Sequence, residues 1–311
     1  MREIVVISGK GGTGKTSVCA ALAHLASGGR TNADNTENAH RLVICDLDVD
    51  APDLHLLLSP SIRRREAFIS GNQAEITPDK CTGCGTCAKL CKFDAVQHRG
   101  DAFTVDPLHC EGCGVCFHLC PAGAITFPER ECGEWYVSDT RFGVMAHALL
   151  NPGQENSGRL VSLLKQQARE LAGKSGAETI LCDGSPGVGC PVISSLSGAT
   201  LAVAVVEPTP SGVHDFERVA ALCDHFHIPV TLIINKCDLN PEETARIRKL
   251  AGEKDRVVAA ELPFSPDVTR AMIAGLALTE TDSPLGELLA RAWERIDGLA
   301  LRAAARKTSN L

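Results

Sequence analysis

Short apolar runs alternate with amphipathic stretches along most of the chain. Ile4-Val5-Val6-Ile7, Leu42-Val43-Ile44-Cys45, Thr179-Ile180-Leu181-Cys182, Leu201 to Val206 and Val230 to Ile234 are each hydrophobic at nearly every position. Continuous rather than alternating hydrophobicity predicts strands buried on both faces. A further strand closes at Glu261-Leu262-Pro263-Phe264. Helical patterns lie between them: Val18 to Ala23, Phe216 to Phe226, and Arg159 to Ala172, which carries Leu160, Leu163, Leu164, Ala168 and Leu171 on one side. Pro284 to Ala305 repeats the pattern with Leu285, Leu288, Leu289, Ala292, Trp293, Ile296 and Leu299. A stripe of this kind predicts a helix packed on the core.

The alternation breaks twice. Residues 27–40 are polar and glycine-rich and read as a loop. Residues 60–71, with Arg63-Arg64-Arg65, read as a polar bridge into a segment of different character. From Ala74 to Phe127 the cysteines take over. Cys81, Cys84, Cys87 and Cys91 recur 29 positions later as Cys110, Cys113, Cys116 and Cys120. The flanks repeat too: Cys81-Thr82-Gly83-Cys84-Gly85 against Cys110-Glu111-Gly112-Cys113-Gly114, and Ala95-Val96 against Ala124-Ile125. The segment is an internal duplication.

Composition narrows the chemistry. A length of 311 residues accommodates one large α/β domain and a small module, and 44% hydrophobic residues suit an aliphatic core. The net charge of −7 supplies no electrostatic case for a nucleic-acid partner. No apolar run reaches membrane-spanning length, and Met1-Arg2-Glu3 leads straight into a strand without a signal peptide. The expected location is the cytoplasm, with no membrane partner. There, 15 cysteines with eight in a strict pattern point to metal ligation before disulfides.

The spacing defines the metal chemistry. Three thiolates at C-x₂-C-x₂-C wrap one face of an iron–sulfur cubane, and the fourth cysteine, three residues on, serves the other cluster. Cys81, Cys84, Cys87 and Cys120 are therefore the expected ligands of one [4Fe–4S] cluster. Cys110, Cys113, Cys116 and Cys91 are those of the second. A structural zinc module fits poorly, because it uses two pairs of ligands rather than a duplicated triplet-plus-one. Cys132, Cys190 and His147 read as structural residues.

The first apolar run ends in Ser8-Gly9-Lys10-Gly11-Gly12-Thr13-Gly14-Lys15-Thr16-Ser17, with a helix directly after it. Strand, glycine-rich loop and helix form the setting of a phosphate-binding loop, whose backbone N–H groups turn towards phosphate oxygens. Lys15 is the expected partner of the β- and γ-phosphates, and the Thr16 hydroxyl that of Mg²⁺. Lys10 is a second ammonium near the triphosphate, acting in cis or in trans. The second strand ends in Asp46-Leu47-Asp48-Val49-Asp50, carboxylates placed to order Mg²⁺ or an attacking water. The strand before Asp183-Gly184-Ser185-Pro186-Gly187 ends in an aspartate suited to hold Mg²⁺ through water.

Lys10-Gly11-Gly12-Thr13-Gly14-Lys15-Thr16 resembles the phosphate-binding loop of the MinD, ParA, Mrp and nitrogenase iron protein superfamily. The cysteine segment resembles bacterial two-cluster ferredoxins over about 55 residues, departing from them at Lys92, where proline is usual. The resemblance implies a doubly wound, mostly parallel α/β sheet with an inserted α+β ferredoxin-like domain. Its expected divisions are an ATPase domain over 1–71 and 130–311, interrupted by the insert at 72–129. It also implies that Lys10 crosses a homodimer, or a heterodimer with a similar ATPase, to reach the partner's nucleotide. Asp48 then activates water and the Gly187 N–H senses the γ-phosphate. Asn235-Lys236-Cys237-Asp238 looks like the guanine-reading motif of GTPases, yet the resembling ATPases contact adenine through such an asparagine. ATP is the expected nucleotide, with Asn235, Lys236 and Pro263 around the base. The implied function is an ATPase that passes electrons through two clusters to a redox partner. The alternative is an ATP-regulated cluster carrier or positioning scaffold with a cluster-accepting partner.

Overall fold

The computed structural model describes residues 1–29, 42–100, 102–154 and 156–309. The loop expected over 27–40 lies outside the described residues beyond Gly29. The chain divides into two compact units. The larger comprises 1–66, 135–149 and 157 onward; the smaller comprises 67–134 and 150–156. The smaller unit takes in the whole of the 72–129 segment.

The chain opens with β1 (Arg2–Ser8), α1 (Lys15–Ala26), β2 (Leu42–Asp46), α2 (Leu54–Leu58) and β3 (Ser61–Asn72). β4 (Glu75–Ile76), α3 (Thr86–Leu90), β5 (Val96–Arg99), β6 (Ala102–Val105), α4 (Val115–His118) and β7 (Ile125–Thr126) follow. β8 (Glu129–Asp139) and β9 (Val144–Leu150) lead back to α5 (Ser157–Ser175), β10 (Thr179–Pro186), α6 (Cys190–Leu196) and β11 (Leu201–Val206). The rest is α7 (Pro210–His225), β12 (Val230–Asn235), α8 (Pro241–Gly252), β13 (Val258–Leu262), α9 (Pro266–Ile273) and α10 (Pro284–Ser309).

Among the described residues, nine strands form one sheet in the order β13-β12-β11-β1-β10-β2-β9-β8-β3. The pairs from β13 to β9 are parallel. Parallel strands need crossovers, and the helices that supply them cover both faces, hence the unbroken apolar runs. The β1 strand is central, and the carboxyl ends of β1, β2, β10, β11 and β12 all fall on one edge of the sheet. The α10 stripe is buried as expected: Leu285, Leu289, Ala292 and Ile296 belong to the same apolar cluster as α1.

Residues 60–71 correct the polar-bridge reading. All but the first belong to strand β3, last in the sheet order, in which Phe68 and Ser70 are buried and most other side chains are exposed. An edge strand rich in charge lacks the apolar run that betrays a central one, and its arginines discourage further strand pairing.

Within the smaller unit the duplication repeats in three dimensions. Gly83 and Gly112 have φ of 69° and 62°, and Gly85 and Gly114 have 72° and 73°. Left-handed turns at matching places start α3 and α4, and each helix carries the third cysteine of its motif, Cys87 or Cys116. A Cβ on Gly112 would stand 2.3 Å from the Asn72 carbonyl oxygen, so glycine is required there for space as well as for φ. Ala95 and Ala124, also equivalent, are both buried.

Candidate functional site

The loop between β1 and α1 lines a cavity of about 650 Å³ at the carboxyl edge of the sheet. Gly11 to Ser17 form one wall, and Asp48, Asp50 and Asp53 line the cavity from the chain after β2. Asn235 and Lys236, with Pro263, Phe264 and Met272, complete it. The volume lies in the range of small-molecule sites. The loop's shape needs its glycines. Gly14 has φ of 86°, and a Cβ there would lie 2.4 Å from Asn235 Nδ2. A Cβ on Gly9 would meet Asp215 Cβ at 2.2 Å.

Charge is concentrated at the loop's exit. The Lys15 ammonium donates to Asp183 Oδ1 at 2.7 Å and lies 3.5 Å from Asp48 Oδ2. Burial alone would discharge Lys15; Asp183, Asp48 and Asp46 outweigh it and hold the ammonium above its ordinary pKa. Burial, reinforced by Asp183, pushes the Asp46 carboxyl well up. Asp48 is raised for the same first reason, with Lys15 partly offsetting it. The β2 and β10 strands pair so that Asp46 stands opposite Asp183.

Three buried oxygens here have no hydrogen-bond partner among the described residues: Thr13 Oγ1, Asp46 Oδ2 and Asp183 Oδ2. Unpaired buried carboxylate oxygens are expensive unless a cation completes them. Hard oxygen donors suit Mg²⁺, and Thr16 lines the same cavity. The residues present therefore fit a magnesium nucleotide.

Other expected site residues hold partners within the protein. Lys10 turns away from the cavity: its Nζ is 3.3 Å from Thr209 Oγ1, Ser211 Oγ and Glu207 Oε2. The Gly187 N–H donates to the Ser8 carbonyl at 2.8 Å, so it is committed to the backbone. Asn235 Nδ2 donates to the Thr13 carbonyl at 2.7 Å, fastening the end of β12 to the glycine loop. Asp238 does not line the cavity; its Oδ1 accepts the Phe264 N–H at 2.6 Å.

Two features escape a reading of the sequence. Glu207, at the end of β11, takes Lys236 Nζ at 2.6 Å as well as Lys10. Burial would raise its pKa, but the hydrogen bonds from Lys236 and Lys10 prevail and hold it below the ordinary range. Its position after an apolar run was the available signal. The α9 helix, capped by Ser265 and lining the cavity with Val268, Thr269 and Met272, gave none.

In the smaller unit, one cavity is lined by Cys81, Cys84, Cys87 and Cys120 together with Gly85 and Ala124. The Ala124 N–H points at Cys120 Sγ at 3.4 Å. Cys91 ends α3, while Cys110 and Cys116 are half-buried and Cys84 and Cys113 exposed. Among the described residues, no three His, Cys, Asp or Glu side chains converge as a single-ion site.

A buried strand, a glycine loop opening a helix, and aspartates paired across two neighbouring strands, Asp46 at the end of β2 and Asp183 within β10, define a P-loop nucleoside triphosphatase. A family model for the CobQ/CobB/MinD/ParA nucleotide binding domain matches residues 4–278. The chain belongs to this family and is a P-loop ATPase. It is 32% identical over 294 residues to uncharacterized protein MJ0578 of Methanocaldococcus jannaschii, covering 94% of this chain and 96% of that one. Its fold is similar to that of the septum site-determining protein MinD complexed with Mg-ADP from Pyrococcus horikoshii. That match has a TM-score of 0.57 at 17% identity, covering 97% of this chain and 98% of the other. The cell division ATPase MinD of Pyrococcus furiosus gives 0.56 at 16%, covering 96% and 99%. Among the described residues no helix is long and apolar enough to cross a membrane.

Proposed function

We propose that this ATPase couples ATP binding and hydrolysis to electron transfer through two [4Fe–4S] clusters held in the smaller unit. The observation that carries the reading is the cavity that brings Cys120 to Cys81, Cys84 and Cys87. A cysteine 33 positions beyond Cys87 joins the first triplet, as the crossed ligation of two-cluster ferredoxins requires. Segment 72–129 is then an inserted ferredoxin-like domain, with Cys110, Cys113, Cys116 and Cys91 holding the second cluster. Bound clusters would supply one-electron storage. The protein's own part is to hold them, with the Ala124 N–H aimed at Cys120 sulfur.

At the ATP site, Lys15 takes the β- and γ-phosphates, Thr16, Asp46 and Asp183 hold Mg²⁺, and Asp48 orients water. Asn235, Lys236 and Pro263 receive adenine. Lys10 serves a partner subunit's nucleotide, in a homodimer or with a similar ATPase, and the Gly187 N–H leaves Ser8 for the γ-phosphate. We place this work in the cytoplasm with a redox protein as acceptor. The exposure of Cys84 and Cys113 favours one second reading, a carrier that surrenders clusters to an acceptor.

Anaerobically purified protein is expected to hold about eight iron and eight sulfide per chain. Redox titration followed by EPR, with and without a non-hydrolysable ATP analogue, tests the coupling. A shift of about 30 mV in a one-electron couple is worth about 0.7 kcal/mol, well within ordinary coupling energies. Midpoints indifferent to nucleotide, with a cluster lost to an apo-acceptor, would replace electron transfer by the carrier reading. Zinc, or half the iron, would overturn the ligand assignment.

A further inference from the structure

A second cavity, of about 490 Å³, opens at the other end of the sheet. It lies where β11, β12 and β13 begin, at Leu201, Val230 and Val257, whereas the nucleotide cavity lies where strands end. The six-residue length of β11 alone separates the two by about 20 Å. One face of α10 forms a wall: Leu299, Arg302, Ala303 and Arg306 recur at helical spacing and all line the cavity. Leu201, Ile228 and Val230 are buried and make an apolar floor.

The rim is cationic. Lys254, Arg256, Arg302, Arg306 and Lys307 face Asp224 and Asp255, a formal surplus of three positive charges in a chain of net charge −7. Two of the five cations are committed. Arg256 Nη2 donates to Asp224 Oδ2 at 2.7 Å, and Lys307 Nζ to the Ala199 carbonyl at 2.6 Å. The side chains of Lys254, Arg302 and Arg306 have no hydrogen-bond or ion-pair partner among the described residues. Like charges gathered in a concave, partly apolar site raise the local potential and draw anions. Arg302 and Arg306, one helical turn apart, offer two planar forks that match phosphate or carboxylate oxygens.

We propose that this cavity binds a small organic anion whose phosphate or carboxylate groups meet Arg302, Arg306 and Lys254 while its apolar or ring body rests on Leu201, Ile228 and Val230. The site is separate from the ATP site and is filled independently of it. The volume fits a small molecule rather than a polymer backbone.

The test uses the full chain with its ATP site saturated by Mg²⁺ and a non-hydrolysable ATP analogue. Phenyl phosphate and benzene-1,3,5-tricarboxylate are titrated calorimetrically at low salt. At least one should bind saturably, one per chain, and which binds tighter tells phosphate from carboxylate. Arg302→Gln combined with Arg306→Gln should weaken that binding about tenfold or more. Arg246→Gln, an exposed change on α8 away from the cavity, should not. Affinity for the ATP analogue should stay the same in every variant, which also shows that the variants fold. Neither probe binding below about 1 mM, or equal binding by the double variant, would overturn the proposal. So would a preference for phosphatidylglycerol vesicles or duplex DNA that the probes fail to compete away.

Discussion

Lys15 does two jobs with one charge, and its replacement separates them. It is 6% exposed, against an Asp183 carboxylate that is 1% exposed. Asp46 and Asp48 add to the same field. Lys15→Met keeps the length of the side chain and removes the cation. Breaking one side of a buried pair destabilises by about 3–5 kcal/mol, because the remaining charge is left uncompensated. Asp46 limits the damage: burial and Asp183 already raise its pKa well above the usual carboxylate range, so it takes a proton readily. The expected loss is therefore about 3 kcal/mol, at the lower end.

Urea unfolding of chelator-treated protein, followed by circular dichroism, measures that loss. A cycle with Asp183→Asn supplies the control. Asn keeps the shape without the charge, so the double variant should be more stable than the two single losses predict, by about 1–2 kcal/mol. Added Mg²⁺ should recover more stability in Lys15→Met than in the unaltered protein, since the freed carboxylates then meet a cation. ATP binding should vanish in the variant regardless, because the β- and γ-phosphates lose their main cation. An unchanged urea midpoint, or strictly additive losses, would show that the Lys15–Asp183 pair does not hold the site together. The same charge balance explains how the site is set. A triphosphate that drew Lys15 away would release Asp183 and Asp48 together.

Two further outcomes are expected. Cys120→Ser should erase the EPR signal of the cluster assigned to Cys81, Cys84 and Cys87; loss confined to the cluster of its own motif would exclude crossed ligation. His147 is buried, with Nε2 2.8 Å from Ser138 Oγ, and burial, aided by His55, lowers its pKa from 6.5 to about 4. Below 6.5 the unfolded chain takes a proton that the native state refuses. Stability is thus complete above 6.5 and drains as pH falls towards 4, by about 3 kcal/mol in all. His147→Gln should flatten that acid limb in thermal melts between pH 4 and 7, and an unchanged limb would assign it to other groups.

The central strands were legible because a strand covered on both faces must be apolar throughout, as Ile4–Ile7 and Leu201–Val206 are. The phosphate loop was legible because its glycines answer to geometry: Gly14 has no room for a Cβ against Asn235. The duplicated cysteines declared their spacing for the same kind of reason. β3 was not legible, since an edge strand is free to be polar and its arginines carry no periodic signal. Nor was the cavity wall made by α9, because nothing in Pro266 to Ile273 says which neighbour the helix meets.

Glu207 shows where reading by motif stops. Asp46 and Asn235 end buried strands, Asp183 lies in the carboxyl half of β10 and Glu207 directly follows β11, and parallel pairing brings all four towards one edge. Aspartate after a strand beside a phosphate loop matches a chemical role, so the first two are found at once. Glutamate before Pro208-Thr209-Pro210 matches a turn and is passed over. Its role exists only in three dimensions, where β11 lies beside β1 and the carboxylate falls between Lys10 and Lys236. Both ammonium groups of the site other than Lys15 are thereby tied to one carboxylate, held ionised by the hydrogen bonds they donate. Lys10 is thus neither a free loop lysine nor part of its own chain's nucleotide cavity. Reaching any phosphate requires it to leave Glu207, Thr209 and Ser211, and the doubly negative γ-phosphate is the stronger attractor for a cation than one carboxylate shared by two.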